Sequence, residues 1–248
     1  MSGLVHTKVL IVGAGGLGVP AALRLAQAGL AHITLMDPEP IELSNLARQI
    51  IYRTSELGLY KAEVAVRRLA EEFPGLEAEP IVGALGPDNA PELIARHDFI
   101  IDGTDDPPTK FLISDSCVAA RRPFVYGGVL GFSGQAMTVL AGRTACLRCL
   151  FEGPPAEGEI ASCREAGILG PVAGIIGALQ AEEAISFARG AQPALCGRIL
   201  TYEARNSRTR TTSVTPRRRC RCGAYDYWIS LNSGGGVGSS GPITEGKI

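Results

Sequence analysis

Four cysteines fall in two close pairs, Cys146 and Cys149 in "CLRC" and Cys220 and Cys222 in "RRRCRC". Two thiolates at C-x-x-C spacing supply half of a tetrahedral zinc site, and a second pair from later in the chain would complete it. The later pair is C-x-C, with Arg219 where a first thiolate is expected, so either Cys220 takes that place through a tighter loop or the site is incomplete. The plain alternative is two pairs of free thiols. Upstream, "GAGGLG" places Gly13, Gly15, Gly16 and Gly18 at the spacing of a phosphate-binding loop. Such glycines allow a tight turn and let backbone N–H groups at a helix start approach a phosphate. Asp37 ends the next strand, where an acid accepts hydrogen bonds from ribose hydroxyls, although an Asp there can also be merely structural. "DGTDD", Asp102–Asp106, ends another strand with the adjacent acids Asp105 and Asp106, a donor set that suits a hard cation. Helix capping is the alternative, and it fits Asp106 better than Asp105.

These groups need elements to hold them. "TKVLIVGAGGLGVPAALRLAQAGLAHITLMD" runs from a β-branched strand through the glycine loop into an Ala/Leu helix and then a second strand, a βαβ unit. A polar stretch "PEPIELSNLARQIIYRTSELG" precedes a helix through "YKAEVAVRRLAEEF", which puts Ala62, Val66, Leu69 and Phe73 on one face and stops at Pro74–Gly75. "EAEPIVGAL" and "HDFIIDGTDD" are further strands around a short helix, "APELIARH", and "FLISDSCVAARR" is helical. This alternation predicts an α/β fold with a Rossmann-like, doubly wound, mostly parallel sheet. Glycine-separated β runs in "PFVYGGVLGFSGQAMTVLAG" predict an antiparallel extension in the second half. We expect a single domain over residues 1–230, with a nucleotide-binding half (1–145) and a cysteine-bearing half (146–230), then a flexible Gly/Ser-rich tail (231–248).

Composition narrows the function classes. At 248 residues and 46% hydrophobic the chain can bury a large core, and a net charge of -1 predicts no bulk affinity for nucleic acid. The N-terminus has too short an apolar run for a secretion signal, and the longest apolar stretch, from Ile168, is broken by Pro171 and Glu182–Glu183, so no membrane span is expected. A cytoplasmic protein is expected, in which seven cysteines are better read as ligands or reactive thiols than as a disulfide framework. Cys117 and Cys196 are expected in the core, and His6, His32 and His97 share no ligand or triad spacing. Between Arg198 and Arg221, eight arginines accompany one acid, Glu203, which is either a solvated sheet edge or a docking surface for an acidic protein.

"SNLARQ", Ser44 to Gln49, separates the nucleotide classes, because a dinucleotide enzyme has no need of an Asn and an Arg after the ribose acid, whereas a triphosphate does. Here the sequence resembles the MoeB/ThiF family: "IVGAGGLG", "DPEPIELSNLARQ", "GLYKAE", "DGTDD", "CLRC" and "CREAGILGPVAGIIG" stand in that family's order and spacing, from about Lys8 to Gly223. Those enzymes are relatives of ubiquitin-activating enzymes and adenylate the C-terminal glycine of a ubiquitin-like sulfur carrier. The resemblance implies ATP, Mg2+ and Zn2+ as cofactors. It places Ser44, Asn45 and Arg48 in the nucleotide site with the last two on the phosphates, Lys61 near the α/β-phosphates, Asp105 on Mg2+ and Gly16 against the nucleotide. It puts the zinc site away from the nucleotide. It matches Cys163 to a cysteine that becomes linked to the carrier in thiamine-type members; in molybdopterin-type members that thiol is not needed for adenylation, and an inert loop cysteine is the alternative.

The implied partners are a carrier ending in Gly-Gly, a second copy of the chain, and a sulfurtransferase or cysteine desulfurase, with molybdopterin, thiamine or tRNA thiolation as the possible destinations of the sulfur. Two departures stand out. The family's usual "TDN" has Asn where this chain has Asp106, and the family's leading "RYxRQ" segment, whose Arg reaches a partner's ATP, finds no match before the first strand. The rival readings are an NAD(P)-binding oxidoreductase, which rests on the glycine loop and Asp37 alone, and a non-catalytic scaffold, against which Arg48, Lys61 and Asp105 argue.

Overall fold

The computed structural model describes residues 2–156, 167–233 and 246–247. After a short helix α1 (Ser2–His6), β1 (Lys8–Val12) and β2 (His32–Met36) flank α2 (Gly18–Gln27). The alternation continues through α3 (Lys61–Glu72), β3 (Glu77–Ile81), α4 (Ala90–Ala95), β4 (Phe99–Asp102), α5 (Pro107–Ala119) and β5 (Phe124–Leu130). The second half adds β6 (Ser133–Val139), α6 (Leu147–Phe151), α7 (Gly170–Ala188), β7 (Arg198–Glu203), β8 (Arg208–Ser213), α8 (Ala224–Ser233) and the two-residue β9 (Gly246–Lys247).

All nine strands form one sheet in the order β3-β2-β1-β4-β5-β6-β7-β8-β9. The first five are parallel, with Val9 level with Ile33 on one side and Phe99 on the other. From β6 onward pairing is antiparallel, starting with a hairpin that turns through Gly131 at φ 57°. This is the Rossmann-like sheet with an antiparallel extension expected from the sequence. The sheet runs without a break from the first half of the chain into the later residues.

Successive strand residues point to opposite faces, and the core divides accordingly. Val9, Ile11, Ile33, Leu35, Phe99 and Ile101 pack with α2, α3 and α7, while Leu10, Val12, Met36, Ile100 and Phe124 pack with α4, α5 and α6. α7 is apolar over most of its surface because it packs on both the sheet and α2. Gly177 makes that approach possible, since a Cβ there would stand 2.3 Å from the Leu17 carbonyl oxygen. Pro171 sits in the first turn of α7, where its missing N–H costs nothing, and the helix runs on through Glu182 and Glu183. Among the described residues, no helix is long and apolar enough to cross a membrane. α8 reaches Ser233, and Gly246–Lys247 pair with β8, so parts of the segment read as a tail carry regular structure. Cys117 is fully buried, whereas Cys196 is only half-buried.

Strand order reverses between β1 and β4, and the loops leaving these two strands meet there. In open α/β sheets that crevice is where ligands bind. The contact is backbone on backbone: a Cβ on Gly13 would lie 2.6 Å from the Gly103 carbonyl oxygen.

Candidate nucleotide site and cysteine centre

The glycine loop is specified atom by atom. Gly13 adopts φ 100°, a left-handed backbone that favours glycine, and donates its N–H to the Met36 carbonyl at 2.7 Å. At Gly18 a Cβ would fall 1.7 Å from the Gly13 carbonyl oxygen, so the turn into α2 closes only without a side chain. A Cβ on Gly16 would stand 3.2 Å from the Ala173 methyl, so the absence of a side chain lets the loop lie close to the start of α7.

Asp37, at the end of β2, is buried and accepts the Ala14 N–H at 2.7 Å on one oxygen and the Glu39 N–H at 2.9 Å on the other. Each oxygen keeps a lone pair for a ribose hydroxyl. Burial raises the Asp37 pKa above the ordinary carboxylate range; the two amides and the charge of Lys61 oppose that rise.

Lys61 opens α3 with its side chain buried and its Nζ 2.5 Å from Glu39 Oε2. Taken alone, a lysine early in an amphipathic helix reads as exposed; here the helix start turns inward, toward Asp37 and Glu39. Ser44 is exposed, and its carbonyl accepts a hydrogen bond from Arg48 Nη1 at 3.0 Å. Asn45 is buried in a one-turn 3-10 helix, where its Oδ1 accepts the Glu42 N–H at 3.1 Å. Arg48 Cγ approaches the Cβ position of Gly16 at 3.9 Å, so the arginine borders the glycine loop. The structure therefore gathers the glycine loop, Asp37, Asn45, Arg48 and Lys61 at one end of the sheet.

The two acids after β4 part company. Asp105 is exposed on the loop, two residues beyond Gly103 and its contact with Gly13. Asp106 caps α5, accepting the Thr109 N–H at 2.9 Å and its hydroxyl at 2.6 Å. That cap occupies one of the Asp106 oxygens. Cys163 and the neighbouring Arg164 lie outside the described residues.

The four paired cysteines converge. Their sulfurs all lie within 4.8 Å of one another, with 3.5 Å between Cys146 and Cys220, 3.7 Å between Cys149 and Cys222, and 3.9 Å between Cys146 and Cys149. Ligands about 2.3 Å from a tetrahedral zinc stand roughly 3.8 Å apart, so this donor set fits the ion. Hydrogen bonds from Cys146 and Cys222, together with the Arg217 amide, draw the Cys149 thiol far below its usual range. C-x-C spacing succeeds because residues 217–223 form tight turns that bring Cys220 and Cys222 back to α6. Cys146, Cys149 and Cys222 belong to the core on the α4–α6 face, across the sheet from α2.

Residues 1–224 match the ThiF family. The chain belongs to the ThiF family. It is 39% identical over 211 residues to "Adenylyltransferase and sulfurtransferase MOCS3-1" of Zea mays, a match covering 85% of this chain and 45% of that protein. It is also 39% identical over 224 residues to "Adenylyltransferase and sulfurtransferase MOCS3" of Bos taurus, covering 89% and 48%. It thus spans less than half the length of these curated relatives. A crystal structure of E. coli MccB with ATP superposes with a TM-score of 0.78 at 20% identity, covering 90% of this chain and 68% of that one. A structure of PaaA superposes at 0.72 with 22% identity, covering 86% and 65%. At such identities these likenesses establish the shared fold.

This ThiF-family chain also carries site residues that sequence reasoning passed over. Lys110 of α5 is buried, and its Nζ donates to Asp102 at 3.1 Å, to the Thr104 carbonyl at 2.6 Å and to the Gly127 carbonyl at 2.5 Å, locking the loop that bears Asp105 to β5. Burial raises the Asp102 pKa, against the charge of Lys110 and the Thr104 hydrogen bonds. Gln180 of α7 donates to the Asp102 carbonyl at 2.7 Å. Gln180 and Glu183 carried a usable signal, polar residues inside an apolar helix, because buried polar groups need partners. Tyr52, buried between the glycine loop and α3, carried none.

Proposed function

We propose that this chain is an ATP-dependent adenylyltransferase for the C-terminal carboxylate of a ubiquitin-like sulfur carrier ending in Gly-Gly. Carrier–COO⁻ attacks the α-phosphorus of MgATP, the bond to the β-phosphate oxygen breaks, and carrier–CO–AMP and pyrophosphate result. The mixed anhydride then primes the carboxyl for thiocarboxylate formation. The observation that carries this reading is the buried Lys61 beside Asp37 and the glycine loop, with Arg48 bordering the same loop. A dinucleotide site needs the loop and the acid, not two further cations.

In this reading Gly13, Gly15, Gly16 and Gly18 shape the phosphate loop, Asp37 holds the ribose, and Ser44 and Asn45 complete the nucleotide pocket. Arg48 and Lys61 neutralise charge that builds up on the phosphates, and such fixed, partly desolvated charges stabilise a transition state without reorganising. Asp105, exposed at the crevice, supplies oxygens for Mg2+, with Asp106 adding its remaining lone pairs while it caps α5. Cys146, Cys149, Cys220 and Cys222 hold a structural zinc that ties the late turns to α6. Cys163 serves a later covalent step with the carrier. A homodimer in the cytoplasm, supplied with sulfur by a sulfurtransferase or cysteine desulfurase, is the assembly we expect. The MOCS3 relatives, which are named for both activities, support that link.

Titration calorimetry with MgATP, NAD and NADP tests the nucleotide class. We expect micromolar MgATP binding and none of the dinucleotides at like concentration. Tight dinucleotide binding with indifference to ATP would sink the proposal.

A further inference from the structure

Tyr52 has no part in the proposed reaction, yet its hydroxyl stands at the centre of the site's framework. It lies 2.7 Å from the Ala14 carbonyl in the glycine loop and 3.3 Å from the carbonyl of Lys61, the first residue of α3. A phenol has one proton to donate. The shorter contact takes it, and the second acceptor lies within reach of the same proton.

The rest of the framework closes a ring. The Ala14 N–H binds Asp37, whose other oxygen accepts the Glu39 N–H; the Glu39 carbonyl accepts the Lys61 N–H at 3.1 Å, and the Glu39 carboxylate holds Lys61 Nζ. Tyr52 is the one member that joins the two ends, glycine loop and lysine, through a side chain from outside both. Burial holds its pKa far above the usual tyrosine range, so the hydroxyl remains a donor at every working pH.

We propose that Tyr52 is a positioning residue that fixes the separation between the phosphate loop and Lys61, so that the loop amides and the lysine reach neighbouring phosphates of one nucleotide. The inference rests on the adenylation reading given above. Without the hydroxyl the ring still fills its space, but the Ala14 carbonyl loses its partner and the loop and α3 drift independently. The ligand then bears the cost of ordering them, and this weakens nucleotide binding more than it slows chemistry.

The test is Tyr52→Phe in the full chain, a change that keeps the packed ring. MgATP affinity by calorimetry, KM and kcat in carrier-dependent ATP–pyrophosphate exchange, melting temperature, and hydrogen exchange across residues 13–18 and 59–63 are compared with wild type. Kd and KM for MgATP should rise about five- to tenfold, the worth of one hydrogen bond, with kcat within about threefold. Amide exchange in both segments should quicken in the nucleotide-free protein. Unchanged Kd and KM would overturn the proposal whatever happens to the melting temperature, because a purely structural tyrosine lowers stability and leaves the KM-to-kcat balance alone. Unaltered exchange in both segments would overturn it as well. Wild-type protein that binds no MgATP would instead defeat the adenylation reading, an outcome visible before any variant is made.

Discussion

Replacing Cys220 with serine should cost the chain its metal and much of its heat resistance. Three of the six sulfur separations, 3.5, 3.7 and 3.9 Å, lie within a few tenths of an ångström of the edge of a zinc–thiolate tetrahedron, about 3.8 Å, and the others stay within 4.8 Å, so the ion enters with a modest contraction of the cluster. An ion that binds the folded form alone contributes RT ln(1 + [Zn]/Kd), about 4 kcal/mol when its concentration is a thousand times Kd. For a domain of this size each kcal/mol moves the melting temperature by about 2–4 °C, so the loss should be about 8–16 °C. The assay pairs metal analysis of protein purified without chelator with thermal unfolding, for wild type, Cys220→Ser and the Cys220→Ser/Cys222→Ser double variant. One zinc per wild-type chain is expected, with chelated wild type melting close to the double variant. Cys163→Ser should keep both zinc and melting temperature. A zinc-free wild type, or undiminished zinc in the double variant, would refute the tetrahedral site and leave the four thiols as a packed cluster.

Arg48→Ala and Lys61→Ala should each lower carrier-dependent ATP–pyrophosphate exchange by about a hundredfold or more, since each removes roughly 3 kcal/mol of transition-state stabilisation; wild-type rates in either variant would show that the phosphates lie elsewhere. Glu56 offers a pH test. Burial opposes its charge, but the Arg53 amide, Arg68 and Arg67 outweigh burial and hold its pKa below the ordinary glutamate value. A depressed carboxylate adds stability above the unfolded pKa and loses it as pH falls through the folded one. Glu56→Gln should therefore cost about 1–3 kcal/mol in urea unfolding at pH 7 and progressively less on acidification below about pH 4; a gap that persists at acid pH would mean that the charge is not what matters.

The parallel half of the fold was legible because it is written in local patterns: short continuous apolar runs rich in β-branched residues, an apolar helical face, and glycines at strand ends. Asp106 was legible as a cap for the same reason, since capping needs only the next turn. Lys61 illustrates the limit. Helical periodicity shows that it begins α3 but cannot show that the chain returns to bury it against Glu39, 22 positions earlier. Tyr52 reaches back 38 positions to Ala14, and nothing within a helix turn of it betrays that contact. The four cysteines were legible as ligands by type. What spacing left open, whether Cys220 could stand in for a residue one place earlier, was decided by the turns that follow Arg217. Glu183, read as an interruption of an apolar run, instead accepts the Thr138 hydroxyl at 2.5 Å and the Leu195 amide at 2.8 Å, anchoring a distant loop.

The seat of the glycine loop on α7 bears on how the protein is made. A Cβ on Gly16 would press on Ala173, Gly177 admits the Leu17 carbonyl, and Leu17 shares a buried cluster with Val172 and Ile176, so the rear wall of the glycine loop is synthesised long after the loop itself. At about 5–20 residues per second, roughly ten to thirty seconds of translation separate the two. During that interval the first βαβ unit has emerged from the ribosome without the surface that closes its turn, and the contacts it awaits are long-range ones whose loop-closure entropy slows their formation. The turn of the glycine loop is therefore closed only after α7 has docked.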